Sequence, residues 1–207
     1  MLPKTGSGKH ADYEEGGDCC SRGVSRGAVA RLLCAVFLGH RRVAVATRYK
    51  TPIFYYNPNV YPREEYEIRK QESKRHAESL GIKWIDGDYN HEAWRQDVCG
   101  LEGEPERGRR CEQCFMLRLT EAARKAKELG LQYFATTLAS SRWKSLEQIE
   151  RAGHLAEQAV EGTTFWAQNW RKGGLYERRN QLLKEFDFYN QQYCGCEFSQ
   201  RTTNTQK

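Results

Sequence analysis

The chain has 207 residues, of which 39% are hydrophobic and 12% are aromatic. This supply of apolar side chains is enough for one sizeable core without disulfide bonds. No apolar run approaches the roughly 18 residues of a membrane helix, and the first residues are too polar for a signal peptide. We therefore expect a cytoplasmic protein with no membrane partner. The net charge of +6 favours an anionic partner such as tRNA, with a solvated basic surface as the alternative.

The regular part of the chain starts near residue 51 and alternates strand and helix patterns. Residues 53–56 form a short apolar and aromatic run closed by the turn signal Asn-Pro-Asn at 57–59, which predicts a buried strand. Pro62 then opens a charged stretch that predicts a helix ending at Gly81. Residues 82–85 predict a second strand.

A second helix follows Cys114, because apolar residues recur behind it at helical spacing until Gly130. The predicted helix N-terminus at this cysteine favours thiolate over thiol. Residues 131–138 are rich in β-forming residues and predict a third strand. Residues 140–159 predict a further helix, with the two serines at its start as N-caps.

This alternation predicts an α/β fold, a Rossmann-like three-layer domain built on a parallel sheet with helical additions. In such sheets ligands bind at the carboxyl ends of the strands, where the turn at 57–59 and the two threonines at 136–137 would lie. We predict one domain over residues 51–199, an atypical segment over 1–50 and a polar tail over 200–207.

Two closely spaced cysteine pairs carry the strongest chemical signal, namely Cys111-x-x-Cys114 and Cys194-Gly195-Cys196. The first spacing lets two sulfurs from one turn reach one ion or cluster, and it fits zinc, an iron–sulfur cluster or a thioredoxin-type dithiol. The second pair can ligate a metal or shuttle electrons as a dithiol. The alternative is that Cys194 and Cys196 are unrelated buried thiols. The sequence contains no second CxxC motif, which argues against a structural zinc site.

Several motifs occur in order over about residues 53–199. They are Phe54-Tyr55-Tyr56-Asn57-Pro58-Asn59-Val60-Tyr61-Pro62, Gly100-Leu101-Glu102-Gly103-Glu104-Pro105-Glu106, Arg110-Cys111-x-x-Cys114-Phe115-x-x-Arg118-Leu119, Thr136-Thr137-Leu138, Lys172-Gly173-Gly174-x-Tyr176 and Tyr193-Cys194-Gly195-Cys196-x-Phe198-Ser199. With these motifs the chain resembles the QueH-type epoxyqueuosine reductases. The resemblance implies reduction of the epoxide of epoxyqueuosine at the wobble position of tRNA, the last step of queuosine synthesis. It also implies a [4Fe-4S] cluster with a second metal ion, iron, close by.

On this resemblance we expect Cys111 and Cys114 to ligate the cluster. Cys194 and Cys196 would act as a redox-active dithiol or as ligands of the second metal, and both roles stay open. The partners implied are tRNA carrying epoxyqueuosine and an electron donor that the sequence does not identify. Basic residues would line the tRNA backbone and an aromatic residue would stack on its bases; the candidates are Lys144, Arg171, Lys172, Arg178 and Arg179, with Tyr176 or Trp170 for stacking.

One departure from the family concerns the N-terminal segment. Members begin with a strand that leads into Cys-Cys-Ala-Pro-Cys-Ser-Ser, a motif that supplies cluster ligands, and this chain lacks it. Read one nucleotide later, synonymous codons for residues 28–38 can spell Leu-Leu-His-Val-Cys-Cys-Ala-Pro-Cys-Ser-Ser. We therefore predict a frameshift over about residues 20–50, with the chain as written inactive and disordered or poorly packed over 1–50. The competing expectation is that residues 32–38 and 43–46 form a helix or strand that fills the gap.

Two alternatives to the reductase come from these observations. A non-catalytic RNA-binding module would use Cys111, Cys114, Cys194 and Cys196 as one tetrahedral zinc site. An inactive relative would fold from residue 51 onward but lack part of the ligand set. Metal analysis separates the first alternative from the reductase, because zinc gives no visible absorption whereas iron with sulfide does.

Overall fold

The computed structural model describes residues 32–35, 51–141, 143–172, 189, 191 and 193–199, with side chains from residue 51 onward. Five short strands of these residues form one parallel sheet in the order β3-β2-β1-β4-β5. The strands are β1 (Leu32–Ala35), β2 (Ile53–Tyr55), β3 (Trp84–Asp86), β4 (Tyr133–Thr136) and β5 (Thr164–Phe165).

Within the described ranges, four α-helices connect and cover the strands. Asn90 caps α2, because its side-chain oxygen accepts the Ala93 N–H at 3.0 Å. None of the helices in the described ranges is long and apolar enough to cross a membrane. The helices are α1 (Arg63–Ser79), α2 (His91–Asp97), α3 (Arg109–Glu128) and α4 (Leu146–Ala159), and two 3₁₀ turns span Leu138–Ser140 and Glu197–Ser199.

Strand β2 contributes to two separate hydrophobic cores. Phe54 packs with the apolar faces of α3 and α4 and with the neighbouring strands. Ile53 and Tyr55 belong to a second cluster that includes Tyr66 and Ala77 of α1. Because successive side chains of a strand point to opposite faces of a sheet, the two clusters lie on opposite faces of β2.

The structure confirms an α/β fold with a parallel sheet and most of the predicted elements. The predicted N-cap of the last helix is wrong, because α4 begins at Leu146 and its cap is Ser145, whose hydroxyl accepts the Gln148 N–H at 3.3 Å. The serines at 140–141 instead end the short 3₁₀ turn that follows β4. Helix α2 and strand β5 were not predicted, since seven and two residues are too few to show a period.

Strand β1 occupies the centre of the sheet between β2 and β4. Its register pairs Ala35 with Phe54 on one side and with Thr136 on the other. Four residues of the atypical segment therefore form a strand, as in the competing expectation for residues 32–38. The rest of the segment over 1–50, and the polar tail over 200–207, lie outside the described residues, so the predicted domain boundaries stay predictions.

Candidate active site

The candidate site lies at the carboxyl edge of the sheet, beside β1. The chain passes from β1 to β2 on one side and later to β4 on the other. Ligands of open parallel sheets bind at such a switch point of the strand order. Asn57 follows β2 and Thr137 follows β4, so both lie at this edge as predicted, and they are 2% and 0% exposed.

The CxxC motif lies at the start of α3, as predicted. Arg110 turns back from the first turn and donates hydrogen bonds to three carbonyl oxygens of the preceding loop, residues 101–104, at 2.5 to 3.3 Å. Because Arg110 is itself buried, these bonds tie the loop firmly to the helix. They hold Cys111 and Cys114 at the carboxyl edge of the sheet.

The expected preference for thiolate is wrong for Cys111. Burial raises its pKa, and the Lys144 ammonium and the Arg107 N–H, 3.3 Å from the sulfur, offset only part of the rise. The sulfurs of Cys194 and Cys114 raise the pKa of Cys111 further. The three sulfurs therefore share one electrostatic environment.

The second cysteine pair is held in place by a buried arginine of α1. Arg69 is 2% exposed and donates to the carbonyl oxygens of Cys194 and Tyr193, both at 3.2 Å. Its own charge is balanced by Glu65, one turn earlier on the same helix, at 2.7 Å. An ion pair of α1 thus positions the backbone of the cysteine loop.

Gly195, between the two cysteines, is required by the geometry of this loop. Its φ of +99° lies in a region that L side chains avoid, and a Cβ there would lie 2.8 Å from Arg69 Nη1 and 2.9 Å from Val60 Cγ2. Its carbonyl oxygen accepts the Tyr61 N–H at 2.8 Å. The loop between β2 and α1 therefore packs directly against the CxC pair.

The structure brings both cysteine pairs together. Cys114 and Cys196 are buried in one cluster with Trp94, and Cys194 packs against that cluster. The Nζ of Lys144, a residue that is 9% exposed, donates a hydrogen bond to the Cys194 sulfur. A buried ammonium group thus lies among the thiols, whereas the sequence predicts Lys144 along the tRNA backbone.

The two sulfurs of the CxC pair differ in acidity. Burial raises the pKa of Cys194, but the Lys144 ammonium together with Arg118 and the Cys196 backbone more than offsets it, so the pKa lies below its usual value. Burial lowers the pKa of Lys144, and the sulfurs of Cys194, Cys111 and Cys114 together outweigh that effect, so the pKa lies above its usual value. Burial raises the pKa of Cys196 to about 11. The pair therefore combines one readily ionised sulfur with one that keeps its proton.

The donor chemistry fits a thiolate-ligated group, although the described thiols do not form a complete ligand set. All five cysteines whose side chains are described are free, and no three His, Cys, Asp or Glu side chains among the described residues are arranged to hold a metal ion. Asn57 Nδ2, Thr137 Oγ1 and Arg118 Nε are buried without a hydrogen-bond partner. Since an unpaired buried donor costs about 1–3 kcal/mol, these atoms leave bonding capacity for a polar group at this edge.

The predicted RNA contacts are only partly accessible. Trp170 is 3% exposed and donates its indole N–H to the Thr136 carbonyl at 2.8 Å, so it cannot stack on a base. Arg171 is directed at main-chain carbonyl oxygens, including that of Lys144 at 2.8 Å. Lys172 is exposed. Tyr176, Arg178 and Arg179 lie outside the described residues.

Fold and site together define a class of protein: an α/β domain that gathers two cysteine pairs and a buried lysine at the switch point of a parallel sheet, an arrangement typical of thiol redox or metal chemistry. The chain belongs to the QueH family of epoxyqueuosine reductases, whose family model, described as epoxyqueuosine reductase QueH, matches residues 33–202.

Curated relatives named epoxyqueuosine reductase QueH are similar over most of this chain. The protein of Histophilus somni is 46% identical over 152 residues, which are 73% of this chain and 63% of its own length. The protein of Haemophilus influenzae is 41% identical over 172 residues, which are 83% of this chain and 70% of its own. The protein of Acinetobacter baylyi is 45% identical over 152 residues, which are 73% of this chain and 70% of its own length. The match therefore spans less than two thirds of the Histophilus protein.

Proposed function

We propose that this chain, once it carries the family's N-terminal cysteine motif, reduces the epoxide of epoxyqueuosine in tRNA to give queuosine. The observation that carries the proposal is the meeting of both cysteine pairs around Lys144 at the switch point of the sheet. Family membership supplies the reaction, since the relatives above are named for it. The net charge of +6 supports an RNA substrate.

Removing an epoxide oxygen as water consumes two electrons and two protons. Oxidation of two thiols to a disulfide releases the same number of each, so a dithiol role for Cys194 and Cys196 balances the reaction. The unequal acidity of the two sulfurs supports this role, because Cys194 ionises readily while Cys196 holds a proton. Ligation of a second metal ion, iron, is the other role that this pair can fill. Lys144 stabilises the charge on Cys194 in either case.

We assign a [4Fe-4S] cluster to Cys111 and Cys114, which come from one turn at the start of α3. When bound, such a cluster supplies electrons one at a time. The remaining ligands would come from outside the described residues, where the family carries its N-terminal cysteine motif. Loss of that motif would leave the inactive relative described above.

We also propose that the domain has three layers in a Rossmann-like arrangement and works in the cytoplasm. The two hydrophobic clusters on opposite faces of β2 support a three-layer arrangement. The strand order matches that of doubly wound sheets. The free thiols support a reducing compartment.

Anaerobic reconstitution with iron and sulfide, followed by nucleoside analysis of treated tRNA, tests the function. We expect iron, sulfide and broad visible absorption, together with conversion of epoxyqueuosine to queuosine once the N-terminal motif is present. Cys111→Ala or Cys114→Ala should abolish the absorption, because a cluster that loses a thiolate is exposed to solvent. Cys194→Ser or Cys196→Ser should stop reduction while retaining more of the cluster. Unchanged spectra in both CxxC variants, or full turnover in either CxC variant, would contradict these roles.

The zinc-containing RNA-binding module gains no support from the geometry. It needs four cysteines converging on one ion. Among the described residues, no three His, Cys, Asp or Glu side chains are arranged to hold a metal ion. Stoichiometric zinc in the purified protein, with no iron after reconstitution, would nevertheless favour the module over the reductase.

A further inference from the structure

His91 is a buried histidine whose two ring nitrogens both face oxygen atoms. It is the first residue of α2 and is 9% exposed. Its Nδ1 lies 2.8 Å from the carbonyl oxygen of Pro58, in the turn that follows β2, and its Nε2 lies 3.2 Å from Glu197 Oε1. Glu197 directly follows Cys196 in the chain. This one ring therefore connects the turn after β2 to the cysteine loop.

The two oxygen partners determine which protons the ring carries. A carbonyl oxygen can only accept a hydrogen bond, so Nδ1 donates to Pro58. Glu197 Oε1 also faces Arg95 Nε at 3.2 Å, and because a guanidinium group can only donate, this oxygen acts as an acceptor as well. Nε2 therefore donates to Glu197. A histidine that donates through both nitrogens is an imidazolium cation.

The aromatic rings around His91 suit a cation. The His91 ring stacks on Tyr61 with ring centroids 5.0 Å apart and on Trp94 with centroids 5.2 Å apart, and Tyr89 stacks at 6.3 Å. The face of an aromatic ring attracts positive charge. These contacts therefore favour imidazolium over neutral imidazole, in agreement with the hydrogen-bond partners.

With this contact, the cysteine loop is held at its start, its middle and its end. Arg69 donates to the carbonyl oxygens of residues 193 and 194, and the Tyr61 N–H donates to the Gly195 carbonyl at 2.8 Å. His91 holds the side chain of Glu197, at the end of the loop. The Glu197 contact thus acts on the part of the loop that carries Cys196.

We propose that His91, as an imidazolium, is a positioning residue for Cys196, because it ties Glu197 to the turn after β2. It acts through Glu197 and the main chain rather than on the sulfur itself. The proposal rests on the proposed function for the reaction that Cys196 serves. In the dithiol role the Cys196 sulfur has to reach that of Cys194, and a loop fixed at its end lowers the entropy lost in that step.

Nitrogen NMR of the metal-free chain tests the protonation of the ring. At neutral pH, long-range proton–nitrogen correlation spectra should show both nitrogens of His91 in the protonated form. The signals are assigned by their loss in His91→Gln. An unprotonated nitrogen in the His91 ring of the wild type would overturn the proposal, because one of the two contacts would then lack a donor.

Thiol alkylation of the metal-free chain, with the modified sulfur located by peptide fragmentation, tests the positioning. His91→Phe keeps an aromatic ring for stacking but removes both hydrogen bonds. A hydrogen bond to a charged group contributes about 1.5–3 kcal/mol, so alkylation of Cys196 should accelerate about 10- to 150-fold. Cys194 should change less, because Lys144 and Arg69 still hold it. His91→Gln, whose amide can donate to one of the two oxygens, should lie between His91→Phe and the wild type.

Arg95→Met is the matched control. It removes the other contact to the same Glu197 oxygen, at the same distance of 3.2 Å, but the Arg95 side chain is 50% exposed. Exposed ion pairs contribute little, so Cys196 should react at nearly the rate of the wild type. A general effect of any change around Glu197 would instead accelerate Cys196 in both variants, which would also overturn the role of His91.

An unchanged rate at Cys196 in His91→Phe would overturn the proposal. Equal acceleration of Cys114, Cys194 and Cys196 would do so too, because it indicates general loosening rather than the loss of one contact. If His91→Phe does not fold, the NMR result on the wild type decides. Neither measurement involves the epoxide. Selective acceleration of Cys196, in a protein whose motif-restored form reduces no epoxide, would support the positioning role and refute the reductase, whereas epoxide reduction with an unprotonated His91 nitrogen would do the reverse.

Discussion

Arg69→Met is the sharpest perturbation of the candidate site that leaves its cysteines intact. Methionine has a similar length but no charge, so the variant removes the ion pair with Glu65 at 2.7 Å and the hydrogen bonds to the carbonyls of Cys194 and Tyr193 at 3.2 Å. The Glu65 side chain is 11% exposed and would be left as a buried carboxylate.

Breaking a buried ion pair from one side costs about 3–5 kcal/mol. We expect the lower end, about 3 kcal/mol, because the Tyr189 hydroxyl still donates to Glu65 at 2.7 Å. The double variant Glu65→Gln with Arg69→Met removes the unpaired carboxylate and should recover much of this loss. The double variant does not restore the hydrogen-bond donors to the carbonyls of Cys194 and Tyr193. Its effect on stability can therefore be distinguished from its effect on the anchoring of the cysteine loop.

The two quantities are measured by urea unfolding and by thiol alkylation of the metal-free protein followed by peptide mass spectrometry. Alkylation of Cys194 and Cys196 should accelerate in both the single and the double variant, because their loop is no longer tied to α1. Exposed Cys99 is the internal control and should not change. Slow alkylation of Cys194 and Cys196 in the double variant, at restored stability, would refute the anchoring role of Arg69.

Two further predictions test electrostatics and packing. Lys144→Met should raise the pKa of Cys194, because burial then acts without the ammonium. The pH profile of Cys194 alkylation in the metal-free protein should therefore move to higher pH. An unchanged profile would show that the Lys144 ammonium does not act on Cys194. Gly153→Ala should destabilise by about 1–3 kcal/mol, because its Cβ would lie 2.2 Å from the Phe165 ring, whereas Gly103→Ala, with nothing within 4 Å of its Cβ, should be nearly neutral. Equal melting temperatures for the two variants would contradict the packing of α4 on β5.

Local pattern was sufficient to predict most of the elements and to single out both thiol pairs. The apolar spacing behind Cys114 and the stop at Gly130 specify α3, and the run at 53–56 specifies β2. These features are encoded within a few residues of each other, so the sequence shows them directly.

The contacts that assemble the site are not local. Lys144 meets Cys194 across 50 residues and Arg69 meets it across 125, and no periodicity or spacing encodes such a pair. A lysine and an arginine in charged segments are typical of solvated surface, and only the packing of α1 and of the loop after β4 against the cysteine loop reveals their role.

The N-terminal segment shows how a strand and its chemistry can be specified separately. The central position of β1 needs largely apolar residues that complete the ladder, and Leu-Leu-Cys-Ala at 32–35 meets that need. Ligation of a cluster needs thiols just beyond the carboxyl end of the strand. The reading frame shifted by one nucleotide supplies them, because it places Leu-Leu-His-Val at 28–31 and Cys-Cys-Ala-Pro-Cys directly after that run.

We therefore predict that sequencing the gene across codons 20–52 reveals an insertion or deletion, and that the corrected protein gains iron, sulfide and reductase activity that the chain as written lacks. A confirmed reading frame, with strong amide protection across residues 28–46 and a full cluster in the chain as written, would refute the frameshift. The missing ligands would then have to come from Cys19, Cys20 or Cys34.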